Sequence, residues 1–308
     1  TEEKQNFQTS QDFETIYPKT EKEEVSDIVK KFYKSNDPIE VIGSGSKREI
    51  GKPLQCSKTV NLSKLDGIIE YFPEELYIKV KAGTKINDIQ NELKKNKQQL
   101  AFEPIDFGYL FLGKTNYGTA AGHVACNISG PRRLKVGSIR DHILGFKGVN
   151  GRGEIIKSGG TVVKNVTGYD LSKLICGSFG TLTILTEITF KVLPAPEESK
   201  TLVIHGFDLN LATNYLERAV SSSCDISGAS FLPSRPICTK CQMDIEKTFK
   251  LNDLKYSGSF TSIRLEGSKN SIDNRLKKLI KDLKIEKFKI SILESHQSEI
   301  FWKTIKNL

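Results

Sequence analysis

An α+β fold in two successive parts is predicted for this chain of 308 residues by three observations. Helical and strand-like stretches are mixed up to about Pro194 and end in one long apolar run, "GTLTILTEITFKVLP". After "PAPEES" the order becomes strand, helix, strand, strand, helix, strand, which is the ferredoxin-like βαββαβ arrangement. Three separated glycine segments all fall in the first part. The expected division is 1–197 and 198–308, across the boundary near Pro194–Ser199.

Each element follows from local pattern. Thr20, with Glu23 three positions on, reads as a capping box, and Val25, Ile28, Val29 and Phe32 then share one helical face. A short strand "IEVIG" leads into the turn "GSGSKREIG". "TVNLS", "YIKVKAG" and "ILGFKGVN" are strand-like, and "GRGE" closes the last onto "IIKSG" as a hairpin. Ile86, Ile89 and Leu93 mark a helix over about 85–97. In the second part, strands are expected at 201–206, 226–232, 258–266 and 287–293. Helices are expected at 208–222 and 269–284, the latter striped by Ile272, Leu276, Leu279, Ile280 and Leu283. A short helix in "FWKTIKNL" follows.

A hydrophobic share of 37% and a charged share of 27% describe an ordinary globular protein. No apolar run approaches the roughly 20 residues that span a bilayer, and the polar "TEEKQNFQTS" is no signal peptide. A cytoplasmic protein is expected, reaching the inner face of a membrane only through partners. The net charge of +9 raises nucleic-acid binding, but only nine of 46 basic residues are Arg and the lysines alternate with acids, so none is expected. The six cysteines are scattered. Only Cys238 and Cys241 form a C-x-x-C, and without a second pair they read as loop thiols rather than a metal site.

"GYLFLGKT" (108–115) spells the Walker A pattern G-x-x-x-x-G-K-[ST]. A phosphate loop needs an apolar strand before it and a helix after it. Here "FEPIDF" precedes it, and the variable positions are the bulky Tyr, Leu, Phe and Leu. The match reads as coincidental, with no triphosphate on Lys114. "GSGSKR" offers G-x-G without the third glycine of a Rossmann turn. "GTAAGHVACNISG" (118–130) is different, since small residues at this density let backbone approach a flat or phosphorylated ligand. The same residues also suit a short helix packed tightly on a sheet.

The loop "IGSGSKREIG" (42–51), the blocks "LAFEPIDFG" and 118–160, and "VVKNVTGYDLSKLICGSFGTLTILTEITFKVLPAP" (162–196) occur in that order. Together they resemble the vanillyl-alcohol-oxidase family of flavoproteins, with its PCMH-type FAD-binding domain, over roughly residues 18–200. The resemblance implies a two-subdomain flavin domain followed by a cap, and non-covalent FAD. Gly43, Ser44, Gly45 and Ser46 would offer N–H groups to the diphosphate, with Ser46 and Lys47 standing where relatives carry a tethering His. Gly118, Thr119, Ala120, Gly122, Asn127, Ser129 and Gly130 would line the ribityl and ring side, joined by Pro104. Asp141 and Ile184 would approach the adenosine half. His123 either touches flavin or is structural.

"SGPRR" with "KNVTGYDLSKL" implies a subunit of a glycolate-oxidase-type complex that turns glycolate into glyoxylate, beside a larger flavin (D) subunit and an iron–sulfur (F) subunit. Oxidising a 2-hydroxy acid needs a base, a cation for the carboxylate and a hydride acceptor. Related dehydrogenases supply base and metal from a His-rich cap motif, whereas this cap holds only His205 and His296, without paired spacing. No catalytic residue is assigned, and turnover is expected only within a complex. Arg132 and Arg133 could meet a carboxylate, although a solvent- or partner-facing role is the preferred reading. Family members return after the cap to finish the flavin domain, and that return is missing or very short here. Two alternatives stand: a self-sufficient FAD dehydrogenase of another 2-hydroxy acid such as D-lactate, and a structural FAD-binding subunit without turnover.

Overall fold

A computed structural model of the chain describes residues 14–18, 22–48, 50–52, 54–161, 168–234 and 258–307. Thr20, the side chain of Glu23, "KNVT" of the third block and the Cys238/Cys241 pair lie outside them.

The chain opens with a small parallel sheet. β1 (Glu14–Ile16) is followed by α1 (Lys22–Ser35), β2 (Ile39–Ile42) and β3 (Lys58–Asn61), with β3 in the middle. Parallel neighbours need a crossover, and α1 supplies it between β1 and β2. Its apolar face, Val25 and Val29, is buried with Val60, Leu62, Leu65, Val149 and Ile184.

β4 (Ile68–Phe72) and β5 (Tyr77–Lys81) form a hairpin across the turn at Pro73. Then come α2 (Ile86–Lys95), β6 (Gln98–Gln99), α3 (Phe107–Leu112), α4 (Ala120–Cys126) and α5 (Arg133–Val136). The expected hairpin is β7 (Ile143–Asn150) with β8 (Ile155–Gly159), and after α6 (Leu171–Leu174) comes β9 (Thr183–Lys191). These strands make a five-stranded antiparallel sheet in the order β4-β5-β9-β7-β8. α2 and α4 press Ile89, Leu93, Ala120 and Val124 onto Ile78, Val80, Leu185 and Ile188. The long apolar run is shorter than expected at both ends. Gly180 turns at φ +79° before it, and β10 (Leu193–Pro194) leaves to pair with β6.

The remainder builds the expected βαββαβ unit. It comprises β11 (Glu198–His205), α7 (Leu209–Val220), β12 (Ile226–Leu232), β13 (Phe260–Gly267), α8 (Lys269–Leu283) and β14 (Ile290–Leu293), then α9 (Ser295–Ile305). The sheet order is β12-β13-β11-β14, all antiparallel. α7 and α8 cover one face through Ala212, Leu276, Leu279 and Leu283. α9 packs the opposite face, where Phe301 and Trp302 meet Val203, Phe260 and Leu293. Strand alternation therefore matters at β13. Ile263 and Leu265 face the helical core, while Arg264 and Glu266 face the first part of the chain. Among the described residues no helix is long and apolar enough to cross a membrane.

Candidate functional site

All three glycine segments converge on α4. The first loop meets its N-terminal end, where Gly43 lies so close to Thr119 that a Cβ there would collide with the threonine hydroxyl. Ser44 Oγ donates to the Tyr117 carbonyl, pinning the loop to the residues before the helix. The third segment meets the C-terminal end, with Gly177 N donating to Val124 O at 3.2 Å and Phe179 N to Ala125 O at 2.8 Å. The short helix packed on a sheet, one of the two readings of "GTAAGHVACNISG", is present, and the other two glycine segments gather around it.

The first loop fits an anionic group. Among the described residues, no protein acceptor takes the backbone N–H of Ser44, Gly45, Ser46 or Lys47. Gly45 adopts φ +76°, the left-handed conformation that lets successive N–H groups point to one side. The Lys47 ammonium lies 3.3 Å from Ser46 Oγ and would stand 3.6 Å from a Cβ placed on Gly122. Burial lowers the Lys47 pKa, and nearby Cys126 and Asp106 offset this in part.

The other candidates are placed unevenly. Thr119 is the N-cap of α4, its hydroxyl accepting from Gly122 N at 3.4 Å. Ala120 is fully buried in the sheet core. His123 is buried beneath Gly118, which can only be glycine because the imidazole occupies the space of a Cβ. Its Nδ1 is 3.0 Å from Thr119 O and its Nε2 2.8 Å from Ile105 O. Burial, then the Lys47 charge, push its pKa down to about 3 and outweigh the two carbonyls that favour a proton on each nitrogen. The neutral ring has one proton to give, so only one of the two carbonyls can accept from it at a time.

Asn127 ends α4 at φ 50°, and its Oδ1 accepts from Arg140 N. Ser129 Oγ accepts from Ile139 N at 2.8 Å. Asp141 accepts from Ser138 N at 2.8 Å, and although burial alone would raise its pKa, the Ser138 hydrogen bonds hold it below the usual carboxylate range. Asn127 and Ser129 fasten the turn before β7 to the end of α4, and Asp141 holds that turn together. Ile184 pairs with Val149 near the other end of β7, so the two residues expected to share the adenosine half stand roughly 20 Å apart along that strand. Ile184 also lines a groove of about 380 Å³ with Phe32, Ile39, Val41, Asn150 and Thr181.

Pro104 is buried, and Gly130 packs against the backbone of Glu103, leading to a charged cluster that sequence reasoning missed. Arg132 is buried, contrary to the solvent- or partner-facing role expected for it. Its guanidinium grips Glu266 at 2.6 and 2.9 Å and reaches Gln99 at 2.8 Å. Arg264 grips both oxygens of Glu103 at 2.8 Å, and its Cζ lies 4.6 Å from the Trp302 ring centroid. Burial would raise both carboxyls, and the guanidiniums hold them below their ordinary range instead. Arg133 is exposed. The partner of Arg132 is 134 residues away, and no local signal announces it.

The Walker-like segment is no phosphate loop, because Phe107–Leu112 is helical and Gly113 merely ends that helix at φ +64°. Lys114 Nζ lies over the Tyr117 ring, 5.6 Å from its centroid. In the second sheet unit, His205 Nε2 bonds Ser291 Oγ at 2.9 Å on β11, while His296 is exposed on α9 beyond the opposite end of that strand.

Comparison with known proteins agrees with this geometry. Residues 15–159 match the family described as FAD binding domain. The glycolate oxidase subunit GlcE of Escherichia coli is 41% identical over 165 residues, which cover 54% of this chain and 45% of that protein. A D-lactate dehydrogenase of Anaerostipes hadrus is 35% identical over 196 residues, 62% of this chain and 38% of that one. The chain thus spans less than half the length of these two relatives. An alkyldihydroxyacetonephosphate synthase structure superposes with a TM-score of 0.69 at 19% identity, covering 95% of this chain and 57% of its own. The 4-ethylphenol oxidase of Gulosibacter chungangensis superposes with a TM-score of 0.67 at 14% identity, over 95% of this chain and 61% of its own. At those identities the likeness is one of fold. The match places an FAD-binding domain of the PCMH type over residues 15–159, and FAD is the cofactor that these similarities support.

Proposed function

We propose that this chain is the FAD-binding subunit of a glycolate-oxidase-type complex, supporting oxidation of glycolate to glyoxylate beside a larger flavin subunit and an iron–sulfur subunit. The observation that carries the reading is the run of four unpaired N–H groups, Ser44 to Lys47, held against the N-cap of α4. Such a nest suits a diphosphate. The likeness to GlcE at 41% identity supports the complex. FAD, when bound, supplies the acceptor for the hydride of a CH–OH group.

The chain's own residues take the remaining roles. Ser44 to Ser46 bind through backbone, and Gly122 and the small face of α4 admit the cofactor closely. Asn127 and Ser129 stiffen the far end of α4, and Asp141 braces the turn that they hold. Ser46 and Lys47 replace a tethering histidine, so the cofactor is held without a covalent bond. We place the flavin-binding part at 1–197 and the cap at 198–308. His205 and His296 stand apart, so the base and cation for the hydroxy acid come from the partner.

The visible spectrum of the purified chain tests the shared premise, since a protein that never takes up FAD would sink it. Glycolate is then added with and without the co-purified partner subunits. Bleaching only with partners is the expected result. A second reading, a self-sufficient dehydrogenase of another 2-hydroxy acid, is favoured by the D-lactate dehydrogenase relative at 35% identity. Bleaching of the isolated chain by D-lactate would establish that reading in place of the first.

A further inference from the structure

Most of the buried and half-buried cations described are matched to acids. Arg132 and Arg264 share Glu103 and Glu266, Lys200 bonds Asp273 and Glu294 at 2.8 and 2.9 Å, and Lys147 and Lys79 both reach Glu187. Even Arg48, next in sequence to Lys47, is clamped on Glu40 at 2.7 Å. Lys47 departs from this pattern, as does Lys306, whose pKa burial also lowers. Among the described residues no carboxylate lies within ion-pair distance of Lys47, and its only hydrogen-bond partner there is the Ser46 hydroxyl.

The acid that faces it is already committed. Asp106 caps α3, accepting from Gly108 N at 3.1 Å and from Asn116 N at 2.5 Å. The other groups near Lys47 are neutral: the His123 imidazole and the Cys126 thiol, whose pKa burial raises. Opposite the ammonium, α4 presents Gly122, which has no side chain to cover it. A partly buried ammonium held without a counter-ion destabilises the protein. It is nevertheless positioned at the joint between the four free N–H groups and the small face of α4.

We infer that Lys47 is the charged anchor for the FAD diphosphate, its ammonium completing as a side-chain donor the anion site that Ser44 to Ser46 begin through backbone. The inference rests on the reading of this chain as an FAD-binding protein. A compact ammonium is suited to the task, because it acts as a point charge between phosphate oxygens. It also explains why Gly122 is bare, since a side chain there would stand between Lys47 and the ligand.

The test is the variant Lys47→Met in the full chain, stripped of flavin and titrated with FAD and, separately, with riboflavin, which has the ring but no phosphate. FAD affinity should fall about 10- to 100-fold, while riboflavin affinity changes by no more than about twofold. The salt dependence of FAD binding should flatten. The FAD-free variant should melt at the same temperature as the parent or higher, because an unmatched buried charge has been removed. Unchanged FAD affinity would overturn the inference. So would equal losses for FAD and riboflavin, which would put Lys47 on the ring, or a lowered melting temperature with the loss, which would make it structural. If the parent chain binds no FAD at all, it is the flavoprotein reading that fails, before the variant is consulted.

Discussion

Arg264 holds both carboxylate oxygens of Glu103 at 2.8 Å, joining the central strand β13 of the second sheet to the residues that pack on Gly130. With Arg132 and Glu266 the pair forms a buried cluster of two cations and two anions across the two parts of the chain. Complete, such a cluster contributes little net stability, but breaking it leaves a charge buried without a partner.

Glu103→Ala is therefore expected to destabilise the protein by about 3–5 kcal/mol, the cost of breaking a buried pair. Urea unfolding measures it. A loss well under about 1 kcal/mol would mean that water reaches the cluster and screens it.

The same cluster predicts acid sensitivity. Glu103 and Glu266 are held below the ordinary carboxylate value of 4.5, so the folded state binds fewer protons than the unfolded chain as pH falls. Their contribution is fully present above 4.5 and is lost as pH drops through the lower folded values. The double variant Glu103→Gln/Glu266→Gln should flatten this part of the stability curve. An unchanged slope below pH 4.5 would contradict it.

His123 acts over a higher range. Its unfolded value is 6.5 and its folded value about 3, so between them only the unfolded chain takes the proton. Stability should decline as pH falls from 6.5 and level off near 3. His142 and His205 shift in the same direction, so the measurement is the difference between the parent and His123→Gln, not the parent curve alone. No difference between the two slopes would mean that the imidazole is protonated in the fold.

Gly118→Ala should be costly at a position that carries no side chain. A Cβ there occupies the space of the His123 ring, and overpacking of this kind costs about 1–3 kcal/mol. A lower melting temperature with weakened FAD binding is expected. Pairing the change with His123→Ala should restore most of the stability that Gly118→Ala removes, by clearing the space. Absence of any rescue would show that the backbone, not the ring, demands glycine there.

Trp302, the chain's one tryptophan, is buried against Arg264 and donates its indole N–H to Thr201 Oγ1 at 2.8 Å. Its fluorescence is thus a reporter for the second sheet. Arg264→Met should shift the emission, and Trp302→Ala should cost about 3–5 kcal/mol as a large aromatic cavity. Unaltered emission in Arg264→Met would place the guanidinium away from the ring.

Sequence alone determined the elements with strong local signals. The apolar stripe of α8 at helical spacing, the β7–β8 hairpin around "GRGE" and the order of the second sheet unit were legible because period and turn chemistry act over a few residues. The class of cofactor was legible too, through the family resemblance that the glycine segments and their order carry. β1, three residues long, was not foreseen, because so short a strand has no periodicity and only pairing with β3 defines it, and β4, the hairpin partner of the expected strand β5, was not foreseen either. Tertiary structure alone decided what each small residue packs against: Gly118 and Gly130 are filled by His123 and Glu103, while Gly122 lies beside the Thr119 hydroxyl and the Lys47 ammonium. It also turned Arg132 inward onto an acid 134 residues away and, among the described residues, left Lys47 without an acid at ion-pair distance. Charge matching is a property of residues brought together across the fold, and that sum is taken only once the chain has closed.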